Sequence, residues 1–132
     1  MQLGSVSYLA VVAAAVAGFV FGAIYYGVLS KRWMVAGRIA PEQARPGPAL
    51  LAITFACELV MAFVLALVIG GLGAVTLWNG VAVGVLLCLG FIVSAMTMNH
   101  RYQAYGWDLT LIDGGHWLGV CVIMGAIIGW WG

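Results

Sequence analysis

The chain has 132 residues, of which 65% are hydrophobic and only 7% carry a charged side chain. A soluble domain of this length cannot bury so much apolar surface, so the composition predicts an integral membrane protein. The net charge of +1 excludes a nucleic-acid partner, which would need basic side chains gathered on one solvated face.

Four apolar stretches are each long enough to cross a bilayer, for which about 20 residues are needed. They cover residues 6–29, 49–72, 75–98 and 109–131. We therefore predict an all-α fold in which residues 1–132 form a single transmembrane domain, a bundle of four transmembrane helices. The bilayer itself is then the first partner of the protein.

The connections between these stretches predict the orientation of the chain. Residues 30–48 and 99–108 join the first span to the second and the third to the fourth, and they contain all five Lys and Arg residues. The connection at residues 70–74 is Gly-rich and uncharged. By the positive-inside rule the two charged loops are cytoplasmic, so both termini lie outside. The expected location is the inner membrane of a bacterium.

Small residues repeated every four positions allow helices to approach closely in a membrane. Such rows are more numerous here than a four-helix bundle needs, which favours self-association or docking to a larger membrane complex. The predicted packing residues are Ala10, Ala14, Gly18 and Gly22, then Gly80 and Gly84, and finally Gly115, Gly119, Gly125 and Gly129.

Ionisable side chains inside a membrane span are costly and therefore point to function. Glu58 is expected near the bilayer midplane, while Asp113 and His116 are three residues apart on one face of the fourth span. If the second and fourth spans touch, these three side chains form an acidic pocket that faces the cytoplasm. The alternative is structural: Glu58 is protonated and hydrogen-bonded, and Asp113 is neutralised by Arg101 or Lys31.

Further polar residues are predicted around this pocket. Thr54, Ser94 and Thr97 add hydroxyl groups at shallower depth, and His100 with Arg101 stands at its entrance. The outer half of the bundle offers no comparable polar lining, so the sequence argues against an ion channel through one protomer.

Three functional hypotheses follow. The first is a non-enzymatic membrane protein that associates with itself or serves as an accessory subunit of a larger membrane complex. The second is a small proton- or cation-coupled transporter that uses Asp113, His116 and Glu58, with an ion or small molecule as ligand. The third is a subunit that binds haem or another pigment through His116. No catalytic motif or metal-binding spacing is present, and we predict no cofactor.

Three sequence strings resemble the uncharacterised bacterial membrane family known as domain of unknown function 1761. They are Phe21–Gly27 with Lys31–Met34, Leu59–Ala62, and Leu111–Leu118. The resemblance implies a four-helix membrane protein with no known reaction, substrate or cofactor. The family pattern has Pro where Val28 stands and often an aromatic residue where His116 stands, so Asp113 is the better candidate for a shared role.

Overall fold

The computed structural model describes residues 5–73 and 75–131, and within these ranges the chain is helical with no strand. Four of its five helices are long and apolar enough to cross a membrane, which confirms the predicted fold class. Of the Gly-rich connection at 70–74, Ala74 lies outside the described residues. The helices are α1 Tyr8–Val28, α2 Ser30–Ala36, α3 Pro48–Gly71, α4 Leu77–Tyr102 and α5 Trp107–Trp131.

Local sequence signals set where the long helices begin. Ser7 caps α1, since its hydroxyl accepts a hydrogen bond from the Ala10 N–H at 3.3 Å. Thr76 caps α4 in the same way through the Asn79 N–H at 3.2 Å. Pro48 occupies the first position of α3, where a backbone N–H would have no acceptor within the helix, so proline costs no hydrogen bond there.

Two elements differ from the sequence-based expectation. Helix α4 continues past residue 98 to Tyr102. His100 and Arg101 in this polar last turn form hydrogen bonds with Thr110 of α5, which stabilise the turn although it lies beyond the apolar stretch. The first charged loop contains the short helix α2 and a 3₁₀ turn at Pro41–Gln43. In addition, residues Cys88–Val93 of α4 form a π-helical segment.

Helix α5 is central, since it packs extensively against both α1 and α4, whereas α3 is attached mainly through α1. We call the end with residues 29–47 and 103–106 the loop end, and the opposite end the terminal end. The apolar core occupies the middle and the terminal half of the bundle. It consists of Val11, Ala14, Ala15, Ala62, Leu65, Ala66, Ile69, Val120, Met124 and Ile128.

The contact between α4 and α5 is a glycine seam. A Cβ atom on Gly80 would overlap the Gly125 carbonyl, and one on Gly84 would overlap the Cys121 carbonyl. Gly129 meets the Thr76 carbonyl in the same way. Since Gly115 and Gly119 likewise face side chains of α1, the small-residue rows that favoured self-association are occupied inside the bundle.

We expect Gly80→Ala to force α4 away from α5, because the new methyl group meets a backbone carbonyl that cannot rotate aside. The free energy of unfolding in detergent micelles should fall by about 1–3 kcal/mol. Gly70→Ala is the matched control, since a Cβ there meets nothing within 4 Å. Equal stability of the two variants would contradict the seam.

Candidate functional site

Asp113 is the polar centre of the loop end. The Tyr26 hydroxyl of α1 donates a hydrogen bond to Asp113 Oδ1 at 2.6 Å. His100 of α4 brings its Nε2 to 3.7 Å from Asp113 Oδ2. Both side chains of this pair are largely enclosed, with exposed fractions of 11% for His100 and 18% for Asp113. Three helices therefore converge on one carboxyl group.

His100 and Arg101 are fixed by the start of α5 and the loop before it. His100 Nδ1 lies 2.9 Å from Thr110 Oγ1, and Arg101 Nη2 donates to the same hydroxyl at 2.9 Å. The Arg101 guanidinium also donates to the carbonyls of Tyr105 and Gly106 and lies 3.8 Å above the Trp107 ring. Arg101 is thus engaged with the loop, and the observed partners of Asp113 are Tyr26 and His100.

His116 lies one turn deeper on α5 and is enclosed by aromatic rings. Its ring centroid is 4.7 Å from that of Tyr26 and 4.5 Å from that of Trp117, and Phe21 stacks on it at 6.2 Å. A Cβ built on Gly22 would lie 2.8 Å from His116 Nε2, so the ring occupies the space that a glycine leaves. Nδ1 of the same ring is buried and has no hydrogen-bond partner.

Glu58 is the most completely buried acidic side chain of the described residues and is 2% exposed. Its Oε1 lies 3.4 Å from the position of a Cβ on Gly18, which also touches Val120 and Met124. The second carboxyl oxygen, Oε2, is buried and has no hydrogen-bond partner. Next to Gly18, this carboxyl group therefore shares its space with the apolar side chains of Val120 and Met124.

These side chains follow one face of α1. Gly18, Gly22 and Tyr26 lie on successive turns of α1, each about 6 Å further along the helix than the one before. Glu58, His116 and Asp113 lie against them in that order, and His100 follows beyond Asp113. We call Glu58, His116, Asp113 and His100 the polar ladder. The residues predicted to form one pocket are thus arranged in a row, with Glu58 about 12 Å along α1 from the level of Asp113.

The three predicted hydroxyl groups lie outside this row. Thr54 donates to the Leu50 carbonyl at 2.8 Å, Thr97 to the Val93 carbonyl at 2.6 Å, and Ser94 to the Leu89 carbonyl at 2.7 Å. Each hydroxyl thereby satisfies a carbonyl of its own helix, as Ser and Thr commonly do in helices.

Sequence reasoning missed Tyr25, Tyr26 and Thr110. The Tyr25 hydroxyl donates to the Ile112 carbonyl at 2.6 Å, next to the Tyr26 contact with Asp113. Both tyrosines lie in the Phe21–Gly27 string of the family resemblance, but the sequence analysis predicted no place for them in the pocket. The four-residue spacing of Gly18, Gly22 and Tyr26 was the available signal, because it places all three on one helix face.

The fold and the site together define a small polytopic membrane protein with ionisable side chains inside its bundle. Among residues 5–73 and 75–131, no group of three or more His, Cys, Asp or Glu side chains is close enough to hold a metal ion.

Residues 9–129 match the family described as Protein of unknown function (DUF1761), and the chain belongs to that family. The match confirms the resemblance noted in the sequence and includes every residue of the polar ladder. No curated protein and no solved structure matches the chain at a significant level.

A double-mutant cycle tests the bond between Tyr26 and Asp113. We expect Tyr26→Phe and Asp113→Ala to show a coupling energy of about 1 kcal/mol in unfolding experiments, because the short hydroxyl–carboxyl bond is lost in either variant. Tyr25→Phe is the control, since its hydroxyl bonds a backbone carbonyl, and its coupling to Asp113→Ala should be near zero. Equal coupling for the two tyrosines would refute the assignment.

Proposed function

We propose that this protein is a small proton-coupled membrane carrier in which a proton enters at the loop end and binds Glu58. The observation that carries the proposal is the polar ladder, a row of ionisable side chains that ends at a buried carboxyl group with an unpartnered oxygen. Intramembrane ionisable residues that face a bundle interior are typical of proton relays and ion pathways.

The chemistry of the row supports a proton as the ion. A carboxyl group, an imidazole and a phenol can each accept and donate a proton, and these are the groups of Asp113, His116 and Tyr26. A metal cation instead requires several oxygen ligands around it. The space at Gly18 beside Glu58 is bordered by Val120 and Met124, whose side chains offer no oxygen.

Buried atoms without partners also support the proposal. In the described part of the chain these are Glu58 Oε2, His116 Nδ1 and Arg101 Nη1. Buried polar atoms are normally paired, and an internal water molecule is the usual partner where the protein offers none. Glu58 Oε2 and His116 Nδ1 are therefore the two positions in the row where an internal water molecule would complete the hydrogen bonding.

The terminal half of the bundle argues for a carrier rather than a channel. Its core is formed by apolar residues such as Ala14, Ile69 and Ile128, and no member of that core is ionisable. A channel would need polar groups along its whole length. A proton on Glu58 therefore leaves only after a rearrangement of the bundle or by return to the loop end.

The alternative is an oligomeric protein or an accessory subunit of a larger membrane complex. It rested on an excess of small-residue rows, and contacts between helices of the same chain occupy Gly18, Gly22, Gly80, Gly84 and Gly125. The buried carboxyl group of Glu58 has no role in that hypothesis, whereas a carrier requires one.

We also propose that the loop end faces the cytoplasm and that the protein resides in the inner membrane of a bacterium. The support is the charge distribution, since all five Lys and Arg residues lie at that end. Glu58 would then receive its proton from the cytoplasmic side.

Orientation is testable by labelling with a membrane-impermeant maleimide after Cys57, Cys88 and Cys121 have been replaced by Ala. In intact cells we expect Leu72→Cys to be labelled and Gln43→Cys to be labelled only after permeabilisation. The reverse pattern would overturn the orientation.

Proton flux in proteoliposomes tests the carrier. A potassium gradient with valinomycin sets the membrane potential, and a trapped dye reports the internal pH. We expect Glu58→Gln and Asp113→Asn to lower the flux by about 10²-fold or more, because each removes a proton-accepting group. Glu42→Gln, on the exposed loop, is the matched control and should equal the unmodified protein. An unchanged flux in Glu58→Gln would refute the proposal.

Labelling with dicyclohexylcarbodiimide, which reacts with protonated carboxyl groups in apolar surroundings, gives a second readout. Peptide mass spectrometry should locate the adduct on Glu58, with less labelling as the pH rises. Absence of an adduct on Glu58 at any pH would refute proton binding. Protection by sodium or lithium at constant pH would instead assign a metal cation to the site.

A further inference from the structure

Helix α2 and the chain that follows it form a hollow at the loop end, separate from the polar ladder. The hollow has a volume of about 640 Å³ and combines two cationic side chains with an apolar floor. Its lining residues are Lys31, Met34, Val35, Arg38, Ile39, Ala40 and Pro41.

Arg38 is held in place by the second loop. Its Nη2 donates to the carbonyl oxygens of Gln103 at 3.4 Å and Ala104 at 3.0 Å, and its guanidinium lies 4.5 Å above the Tyr105 ring. A guanidinium has five N–H donors, so most of its donors are left for a ligand. The side chain is ordered before a ligand arrives, which lowers the entropy cost of binding.

The backbone at Arg38 fixes where its side chain leaves the chain. Its φ angle is 54°, in the left-handed region where a helix normally places glycine after its last turn. A side chain there costs about 1–2 kcal/mol. The Ile39 N–H donates to the Met34 carbonyl at 2.9 Å, the bond that closes a helix end of this type. Arg38 thus ends α2, and its side chain leaves the helix beside the hollow.

The rest of the hollow fits the boundary between lipid headgroups and acyl chains. Helix α2 begins two residues after α1 ends, at the level where the apolar span stops. Val35 is 79% exposed, and Lys31 lies one turn before it with no hydrogen bond or ion pair to any described residue. Exposed apolar side chains next to cations are typical of segments that lie in the membrane interface.

We propose that this hollow binds an anionic phospholipid. Arg38 and Lys31 contact its phosphate group, and its acyl chains lie on Met34, Val35 and Ile39. Charge complementarity identifies the occupant, since Glu42 is the only acidic residue of the loop and does not line the hollow. A soluble phosphate would leave the apolar floor uncovered, whereas a phospholipid covers both parts. The inference does not depend on the proton carrier.

Native mass spectrometry of the detergent-solubilised protein tests the site, with phosphatidylglycerol, phosphatidylcholine or inorganic phosphate as the added ligand. We expect phosphatidylglycerol to bind more tightly than phosphatidylcholine. Lys31→Gln and Arg38→Gln should each weaken phosphatidylglycerol binding about fivefold. Arg38→Lys should retain part of the affinity, because it keeps the charge but loses the planar fork of donors.

Arg45→Gln is the matched control, since it removes a cation of the same loop that does not line the hollow. Its affinity for phosphatidylglycerol should equal that of the unmodified protein. An equal loss in Arg45→Gln and Lys31→Gln would reduce the effect to diffuse surface attraction and overturn the proposal. Equal binding of the two lipids would overturn it as well. Competition by inorganic phosphate at the affinity of the lipid would identify a soluble anion as the occupant and also reject it.

Discussion

The arrangement of the ionisable side chains depends on the missing Cβ atoms of Gly18 and Gly22. A polar side chain inside a membrane bundle needs space next to a neighbouring helix, and a glycine provides that space without a cavity. Glu58 of α3 and His116 of α5 reach the same face of α1 because that face has no side chains at these two turns. With alanine at position 22 the His116 ring would have to move, and with alanine at position 18 the Met124 and Val120 side chains, which border Glu58, would have to give way.

The bundle combines two interiors along one axis. Toward the terminal end, apolar side chains of α1, α3 and α5 interdigitate, and the glycine seam brings α4 against α5. Toward the loop end, hydrogen bonds between side chains of different helices replace that packing, centred on Asp113 and Thr110. Hydrogen bonds between side chains can rearrange at lower cost than a close-packed backbone seam. The loop end is therefore the part of the bundle best suited to changes in protonation.

The sequence predicted the features that depend on local patterns. Apolar length gave the four spans, and the four-residue rows identified glycines that do lie at helix contacts, such as Gly80 and Gly125. It could not predict which helices are neighbours, because lipid and protein are equally favourable surroundings for an apolar side chain. For that reason the pocket expected from Glu58, Asp113 and His116 is a row along α1, and Tyr26 was overlooked.

The π-helical segment at Cys88–Val93 separates two parts of α4 that contact α5 in different ways. On one side Gly80 and Gly84 lock the helix to the backbone of α5. On the other side lie His100 and Arg101, whose side chains contact Thr110 and the Trp107 ring of α5. Their backbone carbonyls accept hydrogen bonds from the loop that precedes α5, at Tyr105 and Ala104. A π turn interrupts the regular hydrogen-bond ladder and is a common place for a helix to bend. A bend at this segment would move the loop-end part of α4 together with the loop that follows it, and would change the distance between His100 and Asp113 without opening the seam.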